Sequence, residues 1–161
     1  MPKQLSFFEK IKPFKKKDAD KPQSTKPDKR NQGDKAENLA CVFLKKQGLS
    51  LIDKNFNTRL GEIDLIMCDP NEPELLIFIE VRYRKNKNFG GAAASVTAKK
   101  QQRIIKAALF YQQKNAPQSS MRFDVIAIEG DNQNLEHDNN MSKHSNHSVE
   151  IDWIKSAFDG F

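Results

Sequence analysis

The sequence predicts an α/β domain with a central mixed β-sheet flanked by helices, in the element order αβββαβ. Apolar residues alternate with Glu62 and Asp64 across residues 61–69, which is the period of a β-strand. Residues 75–83 are almost continuously apolar, as expected of a central strand covered on both faces. Helical apolar spacing recurs at residues 36–44 and 104–111, on either side of these strands.

The first helix is predicted to begin at the N-terminal boundary of the domain. Residues 1–32 are rich in Lys and interrupted by prolines, a composition typical of a disordered tail. Asp34 and Glu37 have the spacing of a helix capping box, and Gly48 is a good helix terminator. The chain therefore divides into a disordered basic tail, residues 1–32, and one domain, residues 33–161.

The remaining elements follow from periodicity and turn residues. We expect four strands, a second helix, a mobile polar loop and a short terminal strand or helix that packs back on the core. They are assigned in order to residues 49–58, 61–69, 75–83, 98–114 (the helix, capped by Ser95 or Thr97), 121–129, 131–148 (the loop) and 149–161, with a turn at 71–74. All three histidines lie in the loop, without cysteines or an ordered framework to make them a metal site.

The net charge of +6 is concentrated in the tail. Residues 1–32 contain ten Lys/Arg and four Asp/Glu, which leaves the rest of the chain neutral. Within that neutral part, residues 82–106 contain eight cations and no acidic residue. Such a segment suits a polyanion such as nucleic acid, and a solvated helix face with its adjoining loop is the alternative interpretation.

The composition also bears on the compartment. No apolar run approaches the roughly 18 residues that span a bilayer, and the N-terminus has no apolar signal-peptide core. Cys41 and Cys68 form no CxxC pair and are expected to be reduced and structural. We therefore expect a cytoplasmic protein with no membrane partner.

Two carboxylates and a cation are predicted to share one surface of the sheet. Glu80 and Arg82 lie two residues apart in the apolar strand, so their side chains point to the same face. Asp64 lies close to Glu80 if the two strands pair as a hairpin. Hard oxygen ligands on rigid strands can hold one or two divalent ions that activate water and bind phosphate, with Glu37 of the first helix as a third ligand. Ion pairs of these acids with Arg82, without any metal, are the structural alternative.

Four motifs carry a family resemblance over residues 31–129. The spacing Asp64-x15-Glu80-Val81-Arg82 resembles the PD-(D/E)xK nuclease pattern. In chain order the motifs are GEIDLI (61–66), FIEVRYR (78–84), FGGAAASVTAKKQQR (89–103) and RFDVIAI (122–128). Together they resemble the YraN family of small bacterial proteins related to archaeal Holliday-junction resolvases. The resemblance implies a restriction-endonuclease-like fold and a metal-dependent nuclease activity.

The same resemblance implies roles for individual residues. Asp64 and Glu80 match the metal-binding acids, and Glu37 matches the acid of the first helix, with Mg²⁺ or Mn²⁺ as the cofactor. Arg82 stands where the nuclease pattern usually has Lys, and because Arg does not lose its proton it cannot be a general base. It can hold a phosphate oxygen, while water activation falls to the metal or a base role to Lys100. The residues expected to face nucleic acid are Arg84, Lys99, Lys100, Gln101 and Arg103.

These residues predict an endonuclease that hydrolyses branched or flapped DNA, with RNA as a second substrate to consider. The alternative is a binding module that holds nucleic acid without cutting it, or docks on a DNA-processing partner through the apolar residues of segment 5–14. A scaffold whose acids only pair with its cations is a third interpretation. Resolvase-like relatives pair to cut two strands, so a homodimer is an additional expectation.

Overall fold

A single five-stranded sheet carries one helix on each face. The computed structural model describes residues 27–84, 96–130 and 149–160. Its elements are α1 (Pro27–Lys46), β1 (Ser50–Asn57), β2 (Glu62–Asp69), β3 (Glu72–Arg84), α2 (Ala98–Asn115), β4 (Ser120–Glu129) and β5 (Glu150–Ile154). The predicted α/β class with a mixed sheet flanked by helices is confirmed.

The sheet has strand order β1-β2-β3-β4-β5. Strands β1 to β3 form an antiparallel meander, β3 and β4 pair in parallel, and β5 pairs antiparallel to β4. A parallel pair requires a crossover connection, and α2 provides it between β3 and β4. Strand β5 shows that the C-terminal segment predicted to pack back on the core does so as a strand.

Each helix closes a separate apolar core. Ile104, Ala107, Ala108 and Tyr111 of α2 pack on one face of the sheet with Phe56, Phe78 and Phe123. Ala36, Ala40 and Leu44 of α1 pack on the other face with alternate residues of β2, β3 and β4. Strand β3 contributes to both cores because successive side chains point to opposite faces, which explains its continuous apolar sequence.

The start of α1 differs from the prediction. The helix begins at Pro27, so residues 27–32 of the predicted tail are helical and the predicted boundary falls inside α1. Asp34 and Glu37 lie in the body of the helix, and the capping-box interpretation is wrong. Proline is favoured in the first turn of a helix, where its missing N–H needs no partner. The polar composition of this turn hid its helical structure.

The end of α1 agrees with the prediction at Gly48. Gly48 adopts a φ of 96°, its N–H donates to the Lys45 carbonyl at 3.0 Å, and the Leu49 N–H donates to Leu44 at 3.1 Å. Leu44 and Leu49 also pack in the same core. This is a Schellman motif, and it satisfies the last carbonyls of the helix before β1 begins.

The turn between β2 and β3 is shorter than predicted. Asp69 pairs with Glu72, so Pro70 and Asn71 alone form the turn, and β3 begins three residues before the predicted Leu75. Pro73 lies at a ladder irregularity, since the next pair is Cys68 with Leu76 and pairing with β4 starts only at Leu75. A proline is tolerated there because no ladder partner is needed.

Several predicted segments lie outside the described residues: the tail 1–26, the loop 85–95 with its two glycines, and the polar loop 131–148 with the histidines. In the described part of the chain, neither helix is long and apolar enough to cross a bilayer.

Candidate active site

Asp64 and Glu80 meet where the start of β2, the end of β3 and the first turn of α2 converge. Leu65 pairs with Ile79 in the antiparallel ladder, which places Asp64 and Glu80 on neighbouring strands at the next position. The two carboxylates are close enough that each form of Glu80 responds to the charge on Asp64. The predicted juxtaposition of these acids is therefore confirmed.

Glu80 is an ionisable group in an apolar strand. Only 3% of the residue is exposed. Burial and the nearby charge of Asp64 raise the pKa of Glu80 to about 7, while Lys100 and Arg82 oppose the shift. Arg82 Nε lies 3.4 Å from Oε1, and Lys100 Nζ lies 3.3 Å from Oε2. The two cations offset part of the cost of burying a carboxylate.

Asp64 is held by the backbone of the neighbouring strand. Its Oδ2 accepts a hydrogen bond from the Val81 N–H at 2.7 Å. Burial raises the pKa of Asp64 above its ordinary value, and Glu62 adds to the rise; the Val81 hydrogen bond, Lys100 and Arg82 oppose it. Two neighbouring acids with raised pKa values are typical of sites that bind cations or move protons.

Lys100 links the helix to the acids. Its Nζ lies 2.9 Å from Glu62 Oε1 as well as 3.3 Å from Glu80. Burial lowers the pKa of Lys100, but Glu80, Glu62 and Asp64 together outweigh it, so the net shift is upward. The side chain is thus an ammonium at neutral pH, and the base role considered for it is wrong in this arrangement.

Gly61 lets β2 approach α2 closely enough for this contact. A Cβ added at Gly61 would lie 2.2 Å from the Arg103 carbonyl oxygen, closer than any side chain can pack. The helix itself starts at the predicted cap, since the Thr97 hydroxyl accepts from the Lys100 N–H at 3.3 Å. Backbone contact and helix cap together place Lys100 over the sheet.

Glu37 approaches the site from α1. Burial and the charge of Asp64 raise its pKa, while Lys54 and a hydrogen bond from Asn55 oppose the shift. Lys54 Nζ lies 3.7 Å from Glu37 Oε2. Asn55 adopts a φ of 56°, which asparagine tolerates better than most residues, and its position on β1 faces Glu37. Lys54 and Asn55 were missed from the sequence, although an Asn in a strand is a signal of irregular backbone.

The donor chemistry of these acids suits a hard divalent cation. Carboxylate oxygens are the ligands that Mg²⁺ and Mn²⁺ prefer. Oε2 of Glu37 and Oε2 of Glu80 are buried and accept no hydrogen bond in the described part of the chain, so each is an acceptor that a cation would satisfy. Within the described ranges no three His, Cys, Asp or Glu residues are grouped closely enough to hold an ion as they stand. Lys100 lies among the acids as their counter-charge.

The predicted nucleic-acid contacts are partly placed together. Lys99 and Arg103 are exposed on α2, and Arg84 is exposed at the end of β3, on the strand that carries Glu80. Gln101 differs, because its Nε2 donates to the Val96 carbonyl at 3.1 Å and so stabilises the start of α2. Glu62, considered from sequence as a supporting group, is confirmed as one through its contact with Lys100.

Comparison with other proteins places this site within a known family. Residues 36–128 match the uncharacterised protein family UPF0102. The chain belongs to this family. It is 42% identical over 129 residues to a UPF0102 protein of Nitrosomonas europaea, covering 80% of this chain and 94% of that protein.

Two further relatives agree with this assignment. A UPF0102 protein of Legionella pneumophila is 45% identical over 130 residues, covering 80% of this chain and 94% of its own. One of Coxiella burnetii is 45% identical over 129 residues, covering 79% and 91%. The UPF0102 match includes Glu37, Asp64, Glu80 and Lys100, so the whole candidate site lies in the part of the chain that defines the family. The predicted membership is confirmed.

Proposed function

We propose that this UPF0102 protein is a metal-dependent endonuclease with a restriction-endonuclease-like core that hydrolyses phosphodiester bonds in branched or flapped DNA. One observation carries the proposal: two neighbouring carboxylates are buried in an apolar sheet, and their mutual repulsion raises the pKa of Glu80 to about 7. Such an arrangement costs folding free energy, and a divalent cation would offset that cost. A site that weakens the fold in this way is more consistent with function than with support.

The roles of the residues follow from their positions. Asp64 and Glu80 would hold Mg²⁺ or Mn²⁺, with Glu37 approaching from α1. The ion, when bound, supplies a more acidic water and a Lewis acid for the phosphate. Arg82 and Lys100 are cations beside the acids, suited to stabilise negative charge that develops on phosphate oxygens. Arg84, Lys99 and Arg103 would contact the phosphate backbone without reading its sequence.

The relation to archaeal Holliday-junction resolvases belongs to the same proposal. It rests on the order of the Glu37, Asp64 and Glu80 motifs and on the strand arrangement that supports them. It implies action on DNA in the cytoplasm, pairing of two chains to cut both strands of a junction, and recruitment of a protein partner by the N-terminal tail.

The proposal is tested by cleavage of labelled single-stranded, duplex, flapped and four-way-junction DNA with Mg²⁺ or Mn²⁺. We expect the wild-type protein to cut at least one branched substrate and Asp64→Ala to be inactive yet still bind DNA, since a repulsive carboxylate is removed. Asp69→Asn is the matched control, because Asp69 lies at the far end of the same strand. Equal activity of wild type and Asp64→Ala would show a contaminating nuclease.

A non-catalytic nucleic-acid-binding or partner-docking module is the second candidate. The observation that favours it is the position of Lys100, which already pairs with Glu62 and Glu80 and so compensates part of their charge. In that case no substrate is cut with either metal, and wild type and Asp64→Ala bind the same DNA in a salt-sensitive manner.

A further inference from the structure

An apolar groove lies beside the candidate active site. It has a volume of about 670 Å³ and is lined by Phe56, Asn57, Thr58, Arg59, Leu60 and Phe110. Pockets of roughly 300–1,000 Å³ are typical of sites for small planar ligands. Leu60 is 47% exposed and Phe110 is 42% exposed, so two of the three exposed large apolar residues of the described chain line this one groove. Exposed apolar side chains that cluster in this way mark a binding site.

One wall of the groove is held in shape before any ligand arrives. The Thr58 hydroxyl accepts hydrogen bonds from the N–H groups of Leu60 at 3.0 Å and Gly61 at 3.1 Å. The Thr58 N–H donates in turn to the Gly61 carbonyl at 2.8 Å. This turn fixes Leu60 opposite α2, and a preformed wall reduces the entropy cost of binding.

The groove continues into the candidate active site along two elements. Leu60 is two residues before Glu62, which contacts Lys100, so it lies within about 7 Å of that acid along the chain. On α2, Lys99, Arg103, Lys106 and Phe110 are all exposed and follow at helical spacing, which places them on one stripe. The stripe is about 16 Å long at 1.5 Å per residue. It therefore runs three cations from the acids to the aromatic ring.

This pattern fits the chemistry of a single nucleic-acid strand. Cations that follow a backbone, combined with an aromatic ring on which a base stacks, are how proteins hold unpaired strands without reading sequence. A base in a duplex has both faces covered by its neighbours, so only an unpaired base can enter the groove. An apolar peptide would gain nothing from the cations, and none of the six lining residues is acidic.

We propose that the groove between the Thr58–Leu60 turn and Phe110 binds an unpaired nucleobase of the strand whose phosphates lie along Lys99, Arg103 and Lys106. The proposal rests on the proposed function in that it names the substrate feature that site would select. A flap or an open junction arm supplies such a base, whereas a closed duplex does not.

Binding without cleavage tests this assignment. Affinities are measured in EDTA by fluorescence anisotropy for a short labelled single strand, the same strand with abasic sites, and its duplex. Phe110→Ala should weaken binding of the single strand roughly 5- to 150-fold and leave the abasic strand and the duplex unchanged. Phe110→Trp should restore binding, because the indole ring also stacks.

Val42→Ala is the matched control. Val42 is 44% exposed, like Phe110, but lies on α1 outside the groove, so its substitution should change no affinity. An equal loss for abasic and normal strands in Phe110→Ala would contradict base stacking. If Phe110→Ala instead converts a dimer to a monomer in sedimentation without changing strand affinity, the groove is an interface between two copies and the proposal is wrong.

The two proposals fail separately. A protein that cuts branched DNA while Phe110→Ala binds single strands normally keeps its nuclease activity and loses the base groove. A protein that never cuts, yet loses single-strand affinity in Phe110→Ala, keeps the groove and loses the nuclease.

Discussion

Glu80 illustrates how one residue carries the chemistry of the site. Its strand neighbours are apolar because β3 contributes to both cores, and a carboxylate there is retained against the cost of desolvation. The 3% exposed residue titrates near neutrality since it faces Asp64, although Arg82 and Lys100 are close to it. A small change in its surroundings, such as the arrival of a cation, therefore changes its protonation.

Glu80 should make stability pH-dependent in an unusual direction. Its pKa is about 7 in the folded protein and about 4.5 when unfolded, so the folded state holds an extra proton between these values. Stability should therefore be highest below about pH 4.5 with respect to this group and fall as pH rises towards 7, by up to about 3 kcal/mol. Urea unfolding of wild type and Glu80→Gln at about pH 5 and about pH 8 measures the effect, because Gln cannot titrate.

Cation binding provides the second half of this measurement. Mg²⁺ binds the ionised acids, so it should stabilise the wild type more at the higher pH than at the lower one. Glu80→Gln should lose most of that stabilisation, whereas Asp69→Asn should retain it. A wild type whose stability is independent of Mg²⁺ at both pH values would argue against a metal site.

At the scale of elements, the site depends on how β2 is placed against α2. Both elements are predictable from periodicity, but their contact depends on Gly61, whose missing side chain admits the Arg103 carbonyl. The contact brings Glu62 to Lys100 at 2.9 Å. It also positions the turn that forms one wall of the groove.

Gly61→Ala tests this contact. The added methyl group would lie 2.2 Å from the Arg103 oxygen, so the strand and the helix must separate. Overpacking of this kind costs roughly 1–3 kcal/mol of unfolding free energy. Gly33→Ala is the matched control, because nothing lies within 4 Å of its added Cβ and alanine favours a helix interior by roughly 0.5–1 kcal/mol. Urea denaturation should thus give opposite signs for the two variants.

At the scale of the whole molecule, a buried acid joins the C-terminal segment to the sheet. Asp124 on β4 is 0% exposed. It accepts two hydrogen bonds from Arg122 at 2.9 Å, one from Trp153 Nε1 at 3.0 Å and one from the Ser156 N–H at 2.9 Å. All its partners are satisfied, in contrast to Glu80, so Asp124 supports the fold and Glu80 is left for chemistry. The support through Arg122 considered from sequence is confirmed.

Asp124→Ala should separate stability from activity. Removal of one partner leaves Arg122 and Trp153 without their acceptor, and breaking such a buried pair costs roughly 3–5 kcal/mol. Trp153 is the only tryptophan of the chain, so its emission reports the loss directly. Asp152→Ala is the control, because Asp152 is exposed on the same strand. An Asp124→Ala protein as stable as Asp152→Ala would show that the network is dispensable.

Local patterns in the sequence determined the class of the fold and the heart of the site. Strand and helix periods are properties of neighbouring residues, and they were enough to place Asp64 beside Glu80 and to end α1 at Gly48. The first turn of α1 escaped because its residues are polar, and the extent of β3 escaped because Pro73 is tolerated only at a ladder irregularity.

Tertiary structure alone decided what surrounds the acids. Lys100 is 36 residues away from Asp64 in the sequence, and its charge state depends on three carboxylates from two strands. The approach of Glu37 to Asp64, the counter-charge from Lys54 and the groove between Leu60 and Phe110 likewise join separate elements. Electrostatic energy and exposed area depend on distances in space, which no local sequence pattern contains.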